Sequence, residues 1–359
     1  MRKMMMNEVK PPRSLLALAA ALLLAGPAAA NDSAAELAAG GLELVRTDAI
    51  TMQREDLALS PSEVRVRYEM RNDTGKPVTL RVAFPMPEVP HMTPGGMTTG
   101  PDDGNGPYNI ALRPPTDPNF LGFRVRSNGQ EIAPEVEIRA TLPDGRDIAA
   151  ELRAIGGLTL VLQPGLFVEG DTPLPAETVA RLQALGAYET LDDKAWRLPW
   201  SVRVTFHWMQ TFAPGVTVVE HSYRPVIGSR FIVPKEDGRI EASGRGDPVR
   251  DFCIDGPTDK AIRALAAQKR RTHPDDRLLS GHILAYILQT ARNWRGPIGT
   301  FHLTLTGGPV SGDFGGGGES RVMSLCTDLP LVRTGPQRLE ATVRDYVPKE
   351  DLRVLFVSE

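Results

Sequence analysis

Hydrophobic and polar residues alternate with a period of two along most of the chain. In the segment EVRVRYEM, Val64, Val66 and Tyr68 alternate with Arg65 and Arg67. This alternation is typical of a strand with one apolar and one charged face. Similar runs recur at 77–84, 120–132, 200–210, 215–224, 282–294, 299–306, 321–326, 338–346 and 352–357. Short strands of this kind predict a mainly β protein with an immunoglobulin-like β-sandwich, built as two packed β domains with a few short helices.

Turn sequences between these runs predict hairpins. The dipeptides Asn128-Gly129 and Asp144-Gly145 favour tight turns because their residues tolerate positive φ. The sequence NDTGK at 72–76 joins two strand-like runs in the same way. We also expect the run at 215–224 to be the hairpin partner of the run at 200–210.

Three segments are predicted to be helical. The segment at 31–41 has Asp32 or Ser33 as a cap and glycines at its end, and the segment at 174–186 has an early proline and a final glycine. The segment at 258–271 is amphipathic, with Thr258 as its expected cap and basic residues in the last turn.

The sequence predicts two β regions preceded by a leader segment. A polar segment at 235–251 suggests a boundary between an N-terminal β-sandwich region at 31–235 and a C-terminal β region with one helix at 250–359. Residues 1–30 have a basic start, an apolar run and small residues before a cleavage site between Ala30 and Asn31. The apolar run is shorter than the roughly 20 residues of a membrane span, so we expect a cleaved signal peptide rather than an anchor.

Composition and charge narrow the class of protein. Hydrophobic residues make up 41% of the chain and charged residues 24%, as in ordinary globular proteins. The net charge is −3, and removing the leader with its four basic residues and one acidic residue leaves −6. This balance argues against a nucleic-acid partner. No later stretch is apolar enough to span a membrane, so we expect a periplasmic or secreted protein.

The chain has two cysteines, Cys253 and Cys326. In an oxidising compartment a small even number favours a disulfide, and two free buried thiols are the alternative. Their spacing matches no zinc or redox motif.

The glycine-rich stretch at 307–321 is the strongest candidate for a phosphate-binding loop, and it fails the test. In the register that starts at Gly312, Gly318 stands where a Walker loop needs lysine and Glu319 where it needs serine or threonine. The dinucleotide-binding glycine pattern also fails, so we expect a hairpin tip.

Other residues define no catalytic, cofactor or metal site. We expect His207 and His302 to face solvent or a polar surface, because the apolar residues of their strands have the other parity. Trp208 is expected in the core, and Trp196 and Trp200 at strand ends. The chain has no nucleophile elbow and no histidine pair at metal-ligand spacing.

Several blocks of sequence resemble one family. The opening at 31–88 and the segments FHWMQTFAPG, FCIDG, ARNWRGPIGTFHLTL, SLCTD and RDYVPKEDLRVLFV are similar, in that order, to the secreted bacterial proteins grouped as domain of unknown function 4424. The resemblance covers about 31–357 and implies export, an immunoglobulin-like β-sandwich and cysteines matching Cys253 and Cys326. The glycine-rich tip is longer than is usual in the family. No activity and no site residues are implied.

These observations favour a non-enzymatic exported β-sandwich protein that binds an envelope protein or a glycan or helps to assemble the envelope. The loop at 85–107 and the tip at 307–320 are its expected contact surfaces. The alternative is an exported hydrolase acting on glycans or another envelope polymer with two carboxylates brought together by the fold. A weaker third hypothesis is a metal- or ligand-binding module.

The leader generates a direct prediction. We expect the protein recovered from the periplasm or medium of a bacterial host to begin near Asn31, because signal peptidase cleaves after small residues such as Ala30. Intact-mass analysis checks this, and a mass that retains the first thirty residues would contradict it.

Overall fold

The structure is a computed structural model that describes residues 33–38, 41–89, 92–93, 97–98, 116–163, 167–169, 174–192, 195–243, 246–310 and 318–359. The signal segment, the cleavage site between Ala30 and Asn31 and most of the loop at 85–107 lie outside the described residues. The described chain consists mainly of strands arranged in several sheets, so the predicted mainly β fold is confirmed. The immunoglobulin-like topology stays a prediction.

The strands and helices follow one another with short connections. The first strands are β1 (Ser33–Ala38), β2 (Gly41–Val45), β3 (Ile50–Leu59), β4 (Val64–Asn72), β5 (Val78–Pro85), β6 (Met92–Thr93), β7 (Met97–Thr98), β8 (Arg124–Ser127), β9 (Gln130–Ile132) and β10 (Glu135–Thr141). The middle of the chain forms α1 (Ala149–Val161), β11 (Phe167–Glu169), α2 (Ala176–Leu185), β12 (Glu189–Asp192), β13 (Ala195–Arg197), β14 (Ser201–Phe212), β15 (Gly215–Tyr223), β16 (Ile227–Pro234) and β17 (Ile240–Ala242). The last part forms α3 (Pro248–Asp251), α4 (Gly256–Thr272), β18 (Leu279–Tyr286), a 3₁₀ helix (Gln289–Asn293), β19 (Ile298–Thr306), β20 (Gly308–Val310), β21 (Gly318–Ser320), β22 (Val322–Ser324), β23 (Val332–Gly335), β24 (Arg338–Tyr346) and β25 (Leu352–Ser358).

Three sheets make up most of the architecture. The large sheet has eight strands in the order β23-β24-β19-β3-β4-β15-β8-β9. The N-terminal sheet has the order β10-β14-β5-β1-β2, and the C-terminal sheet has the order β17-β16-β18-β25-β22. Three smaller sheets are formed by β11-β13-β12, by β20-β21 and by β6-β7.

The main core lies between the large sheet and the N-terminal sheet. Aromatic side chains from both sheets meet there: Phe123 of the large sheet stacks on Phe206 of the N-terminal sheet with ring centroids 4.4 Å apart. His221 lies in the same cluster, 4.6 Å from the Phe84 ring. Tyr286 brings the C-terminal sheet into the same hydrophobic core. Aromatic pairs of this kind stabilise beyond the area that they bury.

A second core lies between the C-terminal sheet and α4. Ile262 and Leu265 of the helix pack with Ile283 and Leu355 of the sheet around the fully buried Phe252. The helix is amphipathic, so its polar face stays in solvent while this stripe is buried.

The chain halves share the large sheet. Strand β19 lies parallel to β3, with His302 opposite Asp56 and Leu303 opposite Leu57. Strands from both predicted regions, 31–235 and 250–359, therefore pair with one another. The division into two domains stays a prediction.

Two of the three predicted helices are present. Helix α2 ends at Gly186, which adopts the left-handed conformation with φ of 77°. Helix α4 is also found, but its cap is Asp255, whose side chain accepts a hydrogen bond from the Thr258 backbone N–H at 2.8 Å. Thr258 as the cap was wrong because the helix begins one turn earlier.

The helix predicted at 31–41 is wrong. Residues Ser33–Ala38 form β1, which pairs with β2 and with β5. The alanine-rich sequence favours a helix locally, but pairing on both sides of the strand overrides this weak preference. Helix α1, which the sequence did not predict, contains Gly156 and Gly157 in non-helical conformations.

Strand predictions hold where the alternation is clear, but three connections differ from the prediction. The hairpin expected at 72–76 is wrong, because β4 belongs to the large sheet and β5 to the N-terminal sheet. The Asn128-Gly129 turn joins β8 and β9, and both residues have positive φ. The run at 282–294 is strand only to Tyr286 and then turns into the 3₁₀ helix. The expected hairpin between 200–210 and 215–224 is wrong, because β14 belongs to the N-terminal sheet and β15 to the large sheet.

Cys253 and Cys326 form a disulfide that joins two parts of the C-terminal region. The sulfur atoms are 2.02 Å apart, and the bond closes a loop with a sequence separation of 73 residues. It ties the segment between α3 and α4 to the segment that follows β22. Next to it, the Ser324 hydroxyl donates to the Phe252 carbonyl at 2.8 Å, so this attachment is also hydrogen-bonded.

Removing this disulfide tests its contribution. The double substitution Cys253→Ser and Cys326→Ser is expected to lower the free energy of unfolding by about 4 kcal/mol, because the open chain regains loop entropy. Urea unfolding of oxidised wild type and of the double variant measures the difference. Equal unfolding midpoints, or free thiols titrating in denatured, unreduced wild type, would contradict the assignment.

Candidate functional site

The outer face of the large sheet carries an open groove of about 470 Å³ that is lined by charged and polar side chains. It lies on the side of the sheet opposite the main core. We call its central part the arginine groove, defined by Arg65, Arg67, Arg124, Arg126, Glu220 and Ser222.

Strand alternation places these side chains on one face. In β4 the buried Val64, Val66 and Tyr68 alternate with the more exposed Arg65 and Arg67. The same alternation holds in β8 and β15, where the buried Val125, Val219 and Tyr223 face the core. Successive residues of a strand point to opposite faces, so the core residues determine which residues reach the groove.

Strand β15 lies between β4 and β8 and sets the spacing of the four arginines. Its register places Glu220 opposite Arg67 on one side and Arg126 on the other. One step along the strand, Ser222 is opposite Arg65 and Arg124. Neighbouring strands are about 4.8 Å apart, so long arginine side chains on both sides can converge above β15.

The positive charge of the first row, formed by Arg67, Glu220 and Arg126, is partly neutralised. The Arg67 guanidinium lies 3.8 Å from Asp56, 3.8 Å from Glu220 and 2.7 Å from Glu69. Asp56 also pairs with Arg54 at 2.7 Å. The charges in this row form a network in which Arg67 is the centre.

The second row, formed by Arg65, Ser222 and Arg124, has no carboxylate at its centre. Ser222 occupies the position that corresponds to Glu220, and Arg65 pairs only at the rim with Glu63 at 2.6 Å. Arg124 and Arg126 are exposed, and neither forms an ion pair with any carboxylate of the described residues. Positive charge is therefore concentrated on one side of the groove.

His302 forms the opposite rim. Its Nδ1 is 2.8 Å from the Thr342 hydroxyl, and its Nε2 is 3.2 Å from the Thr304 hydroxyl. The ring is held between neighbours on the polar face, in agreement with the expectation for this residue.

Ser222 lacks the pairing that a nucleophilic serine needs. Ser222 and His221 are adjacent in sequence, but His221 is buried among the aromatic residues of the core while Ser222 faces outward. A base must lie within hydrogen-bonding distance of the hydroxyl that it activates. Among the described residues, no group of three His, Cys, Asp or Glu side chains could hold a metal ion.

His207 is more buried than the sequence suggested. It points away from the main core, but it is only 6% exposed and its Nδ1 accepts a hydrogen bond from Arg81 at 2.9 Å. Burial, together with the Arg81 charge, holds the pKa of His207 below its ordinary value, against the opposing effect of Glu135. Of the two expected environments, solvent or a polar surface, His207 has the polar surface, formed by Arg81 and Glu135 of the folded chain.

His282 is also buried and lies 3.2 Å from the Ser358 hydroxyl through Nε2. Burial lowers the pKa of this imidazole. His207 belongs to the N-terminal sheet and His282 to the C-terminal sheet, and neither lines the groove, so we assign both to the stability of the fold.

A second cavity of about 300 Å³ lies beside the 3₁₀ helix and is lined by Trp294, Tyr346 and Arg292 among others. Burial, followed by the nearby Asp328 and Glu350 carboxylates, raises the pKa of Tyr346 to about 12. The phenol is therefore neutral at physiological pH, and the cavity is mostly apolar.

The expected contact surfaces are only partly within the described residues. The tip at 307–320 begins and ends in strands β20 and β21, which pair antiparallel, with Gly308 opposite Ser320. This agrees with a hairpin, and residues 311–317 lie outside the described residues. Trp196, Trp200 and Trp208 are all buried, so they line no exposed ligand surface.

No helix of the described residues is long and apolar enough to cross a membrane.

The chain belongs to the family described as Domain of unknown function (DUF4424), whose sequence profile matches residues 30–355. The resemblance noted from the sequence is thereby confirmed over nearly the whole chain. A crystal structure from Legionella pneumophila, described as a "putative nutrient binding protein", is 12% identical. It matches with a TM-score of 0.40, over 91% of this chain and 70% of that chain, a likeness too distant to carry an argument. A comparison with curated proteins found no match.

Sequence reasoning did not single out the arginine groove. A signal was present, because the sequence Arg-Val-Arg occurs at 65–67 and again at 124–126. Each occurrence predicts two arginines on the same face of a strand. What the pattern could not show is that β15 separates the two strands and brings the four arginines together.

The buried histidines generate a prediction about pH. The unfolded chain binds a proton near the ordinary histidine pKa of about 6.5, whereas folded His207 and His282 resist protonation. Stability is therefore full above this pH and falls as the pH drops below it, by at most about 1.4 kcal/mol per pH unit for each proton. Urea unfolding between pH of about 7.5 and about 5.5 measures this dependence.

The substitution His207→Asn serves as the comparison, because the amide oxygen can still accept from Arg81 but does not titrate. Its stability is expected to fall less steeply with acid than that of wild type. If the stability of the two proteins fell equally with acid, His207 would not contribute to the pH dependence of stability.

Proposed function

We propose that the protein is an exported, non-enzymatic binding protein of the bacterial envelope and that its partner occupies the arginine groove. The leader sequence and the disulfide support an oxidising compartment outside the cytoplasm. The partner is an envelope protein or a glycan. This function was expected from the sequence, but the groove replaces the loop and the tip as the contact surface.

One observation carries this proposal. The groove is an open cavity of about 470 Å³ in which exposed arginines, a carboxylate and hydroxyl groups converge from neighbouring strands. A solvated sheet face usually pairs its charges across strands, as Arg67 does with Glu220. On β8, Arg126 has Glu131 of β9 opposite it in register, whereas Arg124 has no carboxylate of the described chain opposite it, which leaves its donors directed outward for a partner.

The alternative of an exported hydrolase would use Asp56 and Glu220, two carboxylates that face the groove. Glycosidases hold their two carboxyl groups about 5–10 Å apart with the scissile bond between them. Arg67 lies between Asp56 and Glu220 in register and contacts both at 3.8 Å. The guanidinium occupies the space that a scissile bond would need, so the geometry favours binding.

Filling the groove tests the proposed function. Ala58 lines the cavity next to Arg65, and Ala58→Trp places a bulky ring there without changing any charge. Tagged wild type is expected to capture a reproducible partner from the envelope fraction of its own bacterium, detected by mass spectrometry. The Ala58→Trp variant is expected to lose this partner because the ring blocks access.

Val216→Trp is the matched control, since Val216 is 47% exposed on the outer face of β15 but lies outside the groove lining. It should capture the partner as wild type does. Full capture by Ala58→Trp, or an empty capture by wild type, would contradict the proposal.

A further inference from the structure

We infer that the arginine groove binds an anionic group, a phosphate or a carboxylate, at Ser222. This inference rests on the proposed function and names the chemistry that the partner presents to the protein. Three guanidiniums, those of Arg65, Arg124 and Arg126, would hold the anion, and the Ser222 hydroxyl would donate a hydrogen bond to it.

The first step of the argument is the comparison of the two rows. In one row Glu220 lies between Arg67 and Arg126, and its carboxylate contacts Arg67 at 3.8 Å. In the next row Ser222 lies between Arg65 and Arg124 in the same register. The row at Ser222 therefore has the cationic partners of a carboxylate but a neutral residue in its place.

The second step is charge. The groove lining contains four arginines but three carboxylates, those of Asp56, Glu63 and Glu220. The carboxylates of the lining lie against Arg67 and Arg65. On β8, Glu131 is opposite Arg126 in register and Arg124 has no carboxylate opposite it among the described residues, so the excess positive charge is centred at Arg124. Arg65 and Arg124 lie on either side of Ser222, so an anion bound above this residue attracts both guanidiniums.

The third step is geometry. Arg65 is exposed over 70% of its side chain, so its guanidinium can turn toward Ser222 without a loss of packing. Arginine binds carboxylate and phosphate through paired N–H groups, which gives strong charge-assisted hydrogen bonds. The Ser222 hydroxyl supplies a neutral donor at the centre, as small polar side chains do in anion sites.

The outer face favours an anion over a neutral sugar. Neutral glycans are commonly held by aromatic rings, and the groove lining contains none except the His302 and His221 imidazoles. His221 is buried on the core side, so only one ring reaches the groove. Guanidiniums and hydroxyls are the donors that remain.

Calorimetric titration of the purified protein tests the inference directly. The probes are inorganic phosphate, tetragalacturonate as a carboxylate-bearing glycan, and neutral maltotetraose as the uncharged comparison, all at low ionic strength because salt screens such contacts. Wild type is expected to bind at least one of the two anionic probes and not maltotetraose. Binding of phosphate alone indicates a phosphate-bearing ligand, and binding of tetragalacturonate indicates an acidic glycan.

The decisive variant is Ser222→Asp, which adds to the second row the carboxylate that it lacks. The new carboxylate should pair with Arg65 and Arg124 and compete with the probe, weakening binding by about tenfold or more. Ser222→Asn is the matched control of similar size without the charge, and it should bind within about twofold of wild type.

Arg124→Gln combined with Arg126→Gln should weaken binding to the same extent as Ser222→Asp, whereas Arg338→Gln should not. Arg338 lies on the same sheet, where it pairs with Glu340 outside the groove. The three arginines are exposed and Ser222 is half-buried on the outer face, so the variants should fold. No binding of either anionic probe by wild type, or unchanged binding by Ser222→Asp, would overturn the inference.

The same variants separate this inference from the proposed function. If Ser222→Asp captures the envelope partner as wild type does while Ala58→Trp loses it, the anion site is wrong and the groove remains the binding surface. If wild type binds the anionic probes but captures no partner, the proposed function is wrong and the anion site stands.

Discussion

The register of β15 is the constraint on which the groove and the core both depend. Alternate residues of this strand serve the two faces: His221 and Tyr223 enter the aromatic cluster, and Glu220 and Ser222 reach the groove. His221 lies within 5.5 Å, centroid to centroid, of the Tyr68, Phe84 and Phe123 rings, so it is locked in the core. A slip of β15 by one residue would move His221 and Tyr223 into solvent and turn Glu220 and Ser222 toward the core. The hydrophobic core thus determines where the arginines lie.

A parallel strand pair connects distant parts of the chain around this constraint. Strand β19 lies beside β3 and places His302 at the rim of a groove whose arginines come from β4 and β8. Parallel neighbours need a long connection, and here it includes three strands of the N-terminal sheet and three of the C-terminal sheet, namely β5, β10, β14, β16, β17 and β18. The groove is therefore a product of the complete fold. The disulfide adds a covalent link within the C-terminal part, where the second core contains few elements.

Features that are determined by neighbouring residues in the chain could be predicted from the sequence, whereas features that depend on pairing between distant strands could not. The period of two in EVRVRYEM identified β4 and its charged face, because burial of alternate residues leaves that pattern. The Asn128-Gly129 turn identified the β8–β9 hairpin for the same local reason. Strand β1 was missed because SAAELA has a helical composition, and its conformation depends on pairing with two other strands.

The site was less predictable because its parts come together only in three dimensions. Both Arg-Val-Arg sequences were visible, but nothing in them indicates that β15 inserts between their strands. His207 was assigned to a polar surface from parity alone, and burial of that surface could not be foreseen. Periodicity gives the face of a residue, whereas burial and neighbours depend on which elements cover that face.

The central claim is that three guanidiniums around Ser222 form one anion site, and arginine side-chain NMR tests it most directly. Phosphate is added to protein labelled with ¹⁵N arginine while the assigned Nε–Hε resonances are followed. We expect concerted shifts of Arg65, Arg124 and Arg126, with no shift of Arg139, whose Nε donates to Asp147 at 3.0 Å away from this face. Shifts that are equal across all arginines, or largest outside the groove, would contradict the account.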